Sequence, residues 1–311
     1  MNHNQNKPLV SIALATYNGE RFLKEQLDSL LNQTYQNTEV IITDDASTDG
    51  TKSILEEYAE KDSRVKLFFN DNNLGLIKNF EKAVQLTQGT VIAFADQDDV
   101  WASDKIEKLL ANMGDAVLVY CNSEYIDADG KSMNRKLTDY RNPSNKRNLF
   151  IFDKDSGIWI AGHALLFRKE LLDTALPFTP YISHDTWIAY IAMLKGTIKF
   201  IPDVLVYYRQ HGGNVVGGLG CHKMMTTKQI GSPKEVEAKL TVGRIDALLT
   251  ILPPEEIEFC SYLKKFKKYT LHTTFTNRFR KMCLRIRYAG KIYAPRKRNI
   301  FRKWFKALKS F

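Results

Sequence analysis

Four short apolar runs, each closed by a polar turn and the first three followed by a helical pattern, occupy the first hundred residues and restrict the chain to few folds. Leu9–Ala15 ends at Thr16-Tyr17-Asn18-Gly19, and Phe22, Leu23, Leu27, Leu30 and Leu31 then recur at helical spacing. Glu39–Thr43 stops at Asp44-Asp45-Ala46-Ser47-Thr48-Asp49-Gly50, ahead of a helix from Thr51 to about Glu60. Val65–Phe69, a helix over Leu76–Leu86 and a strand over Thr90–Ala95 complete the series. Strands alternating with single helices imply crossover units on a mostly parallel sheet, an α/β fold. In open sheets of this kind ligands bind beyond the carboxyl ends of the strands. Every unusual acidic cluster of the chain falls there.

The second half is less regular. Ala116–Tyr120, Ile158–Phe167 and Thr197–Tyr208 read as strands, around a helix at about Thr186–Leu194. Met133–Asn148 reads as a polar loop or insertion. Gly212–Gly220 holds five glycines in nine residues but lacks the G-K-[ST] of a phosphate loop. The boundary is expected near 220, giving a main domain over 1–220 and a helical region over 221–311. Charge supports that division. The net +10 is an average over a tail, Ser261–Phe311, with 17 Lys and Arg and no Asp or Glu, and a body that is net acidic. The polar Met1–Lys7 carries no secretory pattern, and no run reaches the ~18 apolar residues of a spanning helix. A cytoplasmic location is expected. Cys121, Cys221, Cys260 and Cys283 form no C-x-x-C pair and read as reduced thiols.

Asp96-Gln97-Asp98-Asp99 follows the apolar strand directly. Three carboxylates in four positions repel one another unless a cation or a hydrogen-bond network balances them, and Mg²⁺ or Mn²⁺ shared with substrate phosphates suits such a cluster. An acidic turn capping the next helix is the plainer alternative. At Asp44–Gly50, acids and hydroxyls can meet a base or ribose, or cap the next helix, with Asp49 capping and Asp45 binding. His184-Asp185 opens a helix, where an Asp is commonly a cap or dipole partner. Near the end of the last strand, Arg209 can pair with phosphate and His211 can ligate a metal.

Together these segments resemble glycosyltransferase family 2 on the GT-A fold, over roughly Pro8–Asn214. The motifs are Val10-Ser11-Ile12 to Asn18, Asp44–Thr51, Asn73-Leu74-Gly75, Asp96–Trp101, Gly162-His163 and His184-Asp185, in the family's order. The resemblance implies a nucleotide site of Thr16, Tyr17, Glu20 and Asp45, with Asp45 facing the base. It makes Asp96 and Asp98 the D-x-D element that holds the nucleotide sugar, Asp98 the leading metal ligand with Asp99 its rival and His211 beside them. Asp185 becomes the catalytic base. His184 stands where the family has Glu, on the acceptor side with Trp159 and Gly162. The implied activity is metal-dependent, inverting transfer of a hexose from a UDP- or dTDP-sugar to a glycan or lipid-linked hydroxyl, with Mn²⁺ or Mg²⁺ as cofactor. The D-Q-D-D-V-W and Y-R-Q-H forms look like bacterial surface-polysaccharide enzymes, rhamnosyltransferases among them.

The basic tail interleaves its cations with Phe266, Tyr269, Phe275, Phe279, Trp304 and other apolar residues. That pattern suits an anionic membrane surface, which would place the enzyme on the inner face of the membrane. A solvated helical appendage and a homodimer through this region are the alternatives; no nucleic-acid motif accompanies the tail. A dinucleotide-dependent oxidoreductase would need G-x-G-x-x-G after the first strand, and Thr16-Tyr17-Asn18-Gly19 is not that. A non-catalytic, membrane- or nucleic-acid-binding protein on a relic α/β domain is the remaining competitor, against which Asp98 and Asp185 argue.

Overall fold

The structure, a computed structural model, describes residues 7–140, 160–212, 233–271 and 275–288. The first half alternates as its pattern predicts: β1 (Val10–Thr16), α1 (Leu23–Leu31), β2 (Thr38–Asp44), α2 (Thr51–Lys61), β3 (Val65–Phe69), α3 (Leu76–Leu86) and β4 (Val91–Ala95). Pairings among these four strands are all parallel. β1, β2 and β4 are buried along their whole length. They can be continuous apolar runs because crossover helices cover both faces of a parallel sheet. β3 lies at the edge and is only partly buried.

After the acidic turn come β5 (Val100–Trp101), α4 (Lys105–Met113), β6 (Leu118–Ile126), β7 (Ser132–Lys136), α5 (Leu137–Tyr140), β8 (Leu165–Arg168), α6 (Leu172–Ala175), α7 (His184–Lys195) and β9 (Ile198–Arg209). The sheet order is β3-β2-β1-β4-β8-β6-β9-β5, with β7 paired to β6. β8 runs antiparallel to both β4 and β6, while β6 and β9 are parallel. Ile158–Phe167 was expected as one strand; within it Gly162–Ala164 forms a 3₁₀ turn and only the last part is β8. Part of the expected Met133–Asn148 loop is β7 and α5, and from 141 on it lies outside the described residues, as do Trp159 and the glycine run beyond Gly212. α7 buries eight of its twelve residues, with an unbroken run from Trp187 to Met193, the mark of a helix sunk in a core rather than lying on it.

The residues from Lys7 to Tyr140, Ile160 to Phe178 and His184 to Gly212 pack as one unit. A second unit gathers Thr179–Ser183 with α8 (Pro233–Ile251), α9 (Ile257–Leu271) and α10 (Phe275–Arg287). Its core is the α8 pair Ile245 and Leu248 together with Phe259, Tyr262, Leu263 and Phe266 of α9. Gly243 lies against Tyr181, where an added Cβ would come within 2.4 Å of the ring. The boundary expected near 220 falls between described segments.

Candidate functional site

Five loops at the carboxyl ends of the strands are stitched together by side chains. Thr16 ends β1 buried, and its hydroxyl donates to Asp44 Oδ1 at 2.8 Å. Tyr17, the next residue, is half exposed, but its backbone is held: Gln97 Oε1 accepts from its N–H at 2.8 Å and Gln97 Nε2 donates to its carbonyl at 3.1 Å. A side-chain amide thus locks the loop after β1 to the acidic turn after β4. Glu20 Oε2 accepts from the Gly50 N–H at 2.6 Å, and Asp49 accepts from Glu20 and Thr51 amides.

Asp45 is buried and shapes the next loop. Its Oδ1 accepts from Asn70 Nδ2 at 2.9 Å and the Leu74 N–H at 2.7 Å, and Oδ2 from the Gly75 N–H at 2.8 Å. Gly75 sits at φ +83°, a left-handed turn that a side chain would strain, and it opens α3. One turn into α3, Asn79 Nδ2 donates to the Thr43 carbonyl. Tyr17 and Leu74 are left exposed on these two loops.

The acidic turn divides its carboxylates between two partners. Asp98 Oδ2 lies 2.8 Å from His211 Nε2, both side chains about 15% exposed. Asp96 and Asp99 turn instead to His163, whose Nδ1 is 3.7 Å from Asp96 Oδ2 and 3.4 Å from Asp99 Oδ2. His163 Nε2 is 3.0 Å from Ser123 Oγ, and its carbonyl accepts from the fully buried Lys105. Asp99 is wholly buried; its Oδ1 accepts the Arg209 N–H at 3.0 Å, while Oδ2 has no hydrogen-bond partner among the described residues. Burial, followed by the charges of Asp98 and Asp96, holds the Asp99 carboxyl well above its ordinary pKa. Burial also pushes Lys105 down, to about 7, against the opposing pull of Cys121, Asp99 and Asp96. For Asp96 burial acts upward, but the nearby imidazole of His163 prevails and keeps it below the usual carboxylate value.

These donors fit a divalent cation. Asp98 and His211 present a carboxylate oxygen and an imidazole nitrogen 2.8 Å apart, the oxygen a ligand type that suits Mn²⁺ or Mg²⁺ and the nitrogen a second donor for a transition ion. Asp96, Asp99 and His163 each offer an atom, all within 4.8 Å of one another, and the unpartnered Asp99 oxygen is among them.

Asp185 opens α7. Its Oδ1 accepts the Thr186 N–H at 2.7 Å and its Oδ2 the Gly162 N–H at 3.1 Å. Gly162 immediately precedes His163, so two consecutive residues touch Asp185 and the acidic turn. His184 is buried, stacked on Phe80 with ring centroids 3.8 Å apart and edge-on to Phe94 at 4.7 Å. Burial keeps its imidazole below the usual pKa, although Asp185 and Asp96 pull the other way.

Two residues quoted only as parts of motifs turn out to have roles that the sequence did not convey. Gln97, between acids, serves as a backbone clamp, and His163 is the hub of the acidic turn; the Gly162-His163 motif was the one visible signal for the latter. Arg209, a phosphate candidate from its type, is turned inward and 1% exposed.

The glycosyl transferase family 2 model matches residues 11–176. An uncharacterized glycosyltransferase of Haemophilus influenzae is 40% identical over 244 residues, 73% of each chain. The putative teichuronic acid biosynthesis glycosyltransferase TuaG of Bacillus subtilis is 40% identical over 107 residues, 34% of this chain and 42% of that one. Several curated relatives are matched over less than two thirds of their own length. Among solved structures, S. aureus TarS 1–349 in complex with UDP-GlcNAc superposes with a TM-score of 0.59 at 17% identity, covering 92% of this chain and 82% of that one. The mannosyltransferase PcManGT of Pyrobaculum calidifontis, in complex with GDP-Man and Mn²⁺, gives 0.50 at 20% identity over 78% and 64%. At these identities the structures speak for the fold, which is GT-A. The family model spans more than half of the chain and the Haemophilus relative almost three quarters, so this chain belongs to glycosyl transferase family 2.

Proposed function

We propose that the chain transfers a hexose from a UDP- or dTDP-sugar to a hydroxyl of a glycan or lipid-linked acceptor, with inversion, Asp185 acting as base. What supports this most is the Gly162-His163 pair, which holds Asp185 by one residue and the acidic turn by the next. A base and a diphosphate site joined through two consecutive residues keep a fixed separation, as in-line attack requires. The acceptor O–H gives its proton to Asp185 as its oxygen attacks the anomeric carbon. The carbon–oxygen bond to the diphosphate breaks, and the nucleoside diphosphate leaves with the bonding pair. One such displacement inverts the anomeric centre. A positioned base contributes ~10²–10⁴-fold.

In this reading Asp98 and His211 would hold Mn²⁺ or Mg²⁺, with Asp99 the alternative ligand. A divalent ion there supplies a Lewis acid for the charge of the departing diphosphate. Tyr17 offers the exposed ring to the nucleotide, while Thr16, Glu20 and the buried Asp45 set the loops around it; with three donors already on Asp45, one acceptor site on Oδ2 is left for a base. Asp96 lies on the sugar side. Gly162 borders the acceptor, and His184, packed on Phe80 and Phe94, precedes the base in the chain. TuaG's name and the acidic-motif form support a surface polysaccharide as the acceptor class. No described helix is long and apolar enough to cross a membrane. The basic residues 261–311 are proposed to dock the enzyme on an anionic, cytoplasmic membrane face, a homodimer through that region being the competing use.

Asp185→Asn tests the base. Nucleoside diphosphate release in the presence of acceptor should fall by at least ~100-fold, with nucleotide affinity unchanged. Transfer at the wild-type rate removes Asp185 from the mechanism.

A further inference from the structure

Arg209 is buried, charged and surrounded by protein acceptors rather than by open space. Its backbone N–H donates to Asp99 Oδ1 at 3.0 Å, and its Nε to the Asp98 carbonyl at 2.9 Å. Nη1 reaches the Asp127 and Ala128 carbonyls in the turn after β6, at 3.4 and 3.2 Å, and Nη2 donates to Glu25 of α1. The guanidinium stacks on the Phe22 ring, 4.8 Å from its centroid, and that ring lies 4.7 Å from His211. One side chain therefore fixes the main chain at Asp98, the element carrying Glu25 and, through Phe22, the imidazole that meets Asp98.

We propose that Arg209 is a positioning residue that sets the Asp98–His211 pair for a divalent cation, and does not meet the donor's diphosphate. The fork geometry is essential to this role. A guanidinium can serve the Asp98 carbonyl, the 127–128 turn and Glu25 at once, whereas an ammonium is a point charge with no fixed directions. The three carboxylates of the turn, Asp96, Asp98 and Asp99, would otherwise spread under mutual repulsion and carry Asp98 away from His211. Arg209 restrains that turn through the Asp98 carbonyl and Asp99 Oδ1 and places a positive charge beside it, leaving the Asp98 carboxylate free for a cation. Glu25, its side chain more than half exposed, completes the pairing from the surface.

This inference rests on the metal reading, and its test separates the two. Mn²⁺ binding is followed by loss of the free-ion EPR signal at saturating UDP, and metal-free UDP binding is followed by calorimetry. Groups that orient metal ligands typically cost 10–100-fold in metal affinity when removed. Arg209→Lys is therefore expected to weaken Mn²⁺ about tenfold, and Glu25→Gln, a surface change that leaves the fold intact, about threefold. Metal-free UDP affinity should stay the same in both. Combined with Asp98→Asn, Arg209→Lys should add nothing to the loss, because both act through one ligand pair. Wild-type Mn²⁺ affinity in both single variants overturns the inference, as does an additive double variant or an equal drop in metal-free UDP binding. A wild-type chain that takes up no Mn²⁺ overturns the metal reading itself, and this assignment with it.

Discussion

Gly162→Ala presses on the proposed base without altering a titrating group. Gly162 does not occupy the left-handed region, so alanine can adopt its backbone and the perturbation comes from contact alone. An added Cβ would lie 3.2 Å from Asp185 Cβ, 3.3 Å from His184 Nε2 and 3.7 Å from Asp185 Oδ2. The first two are a few tenths of an ångström too close. His184 is stacked on Phe80 and braced by Phe94, so it has little room to yield. Asp185 has to move instead, and its bond to the Gly162 amide lengthens. A 1 Å misplacement of a reacting group costs ~100-fold; a shift of roughly a third to a half of that corresponds to about 4- to 10-fold in kcat, taking the penalty as linear in free energy. Overpacking of this size should lower stability by about 1 kcal/mol. Steady-state nucleoside diphosphate release, with a thermal melt alongside, measures both. A Gly162→Ala enzyme with unchanged kcat, or one whose loss appears wholly in the donor KM, refutes the idea that this amide aims the base.

Gln97→Ala removes both bonds to the Tyr17 backbone; nucleotide affinity should weaken by about 3- to 10-fold, as expected for one to two modest hydrogen bonds, with Tm nearly constant. Glu39 is buried at the opposite end of the sheet, accepting from Ser11, the Gln88 and Gly89 amides and Lys66. Burial acts to raise its pKa, but Lys66, Ser11 and Gln88 outweigh that and hold it below 4.5. Its stabilisation is therefore present above pH ~4.5 and lost as pH falls through the lower, folded-state value. Glu39→Ala should cost about 2–4 kcal/mol at neutral pH and flatten the acid limb of a urea-denaturation series; an unchanged limb refutes it. For the basic region, α9 and α10 expose Lys264, Lys265, Lys268 and Arg280 beside Leu271 and Phe279. Full-length chain should float with vesicles containing anionic lipid and a chain ending at Cys260 should not; equal flotation removes the tail from the membrane account.

The α/β class and the first four strands were legible from local pattern alone. Parallel strands covered on both faces must be continuous apolar runs, and the helices between them must show helical spacing. The same logic exposed the acids, because carboxylates placed at the ends of buried strands stand out against their surroundings. The family resemblance rested on those same motifs in order. What local pattern could not convey is who faces whom. Asp96, Asp98 and Asp99 look equivalent in the chain, yet one pairs with His211 and the others turn to His163, since the partners arrive from β9 and from the turn before β8, far away in sequence. Likewise an arginine near the end of a strand reads as a phosphate ligand until the fold supplies carbonyls from two turns and a carboxylate from α1 to enclose it. Hydrophobic periodicity determines which side chains are buried; only the packed sheet decides which polar groups meet, because those meetings depend on loops converging from places far apart in the chain, 80 residues for Tyr17 and Gln97 and 113 for Asp98 and His211.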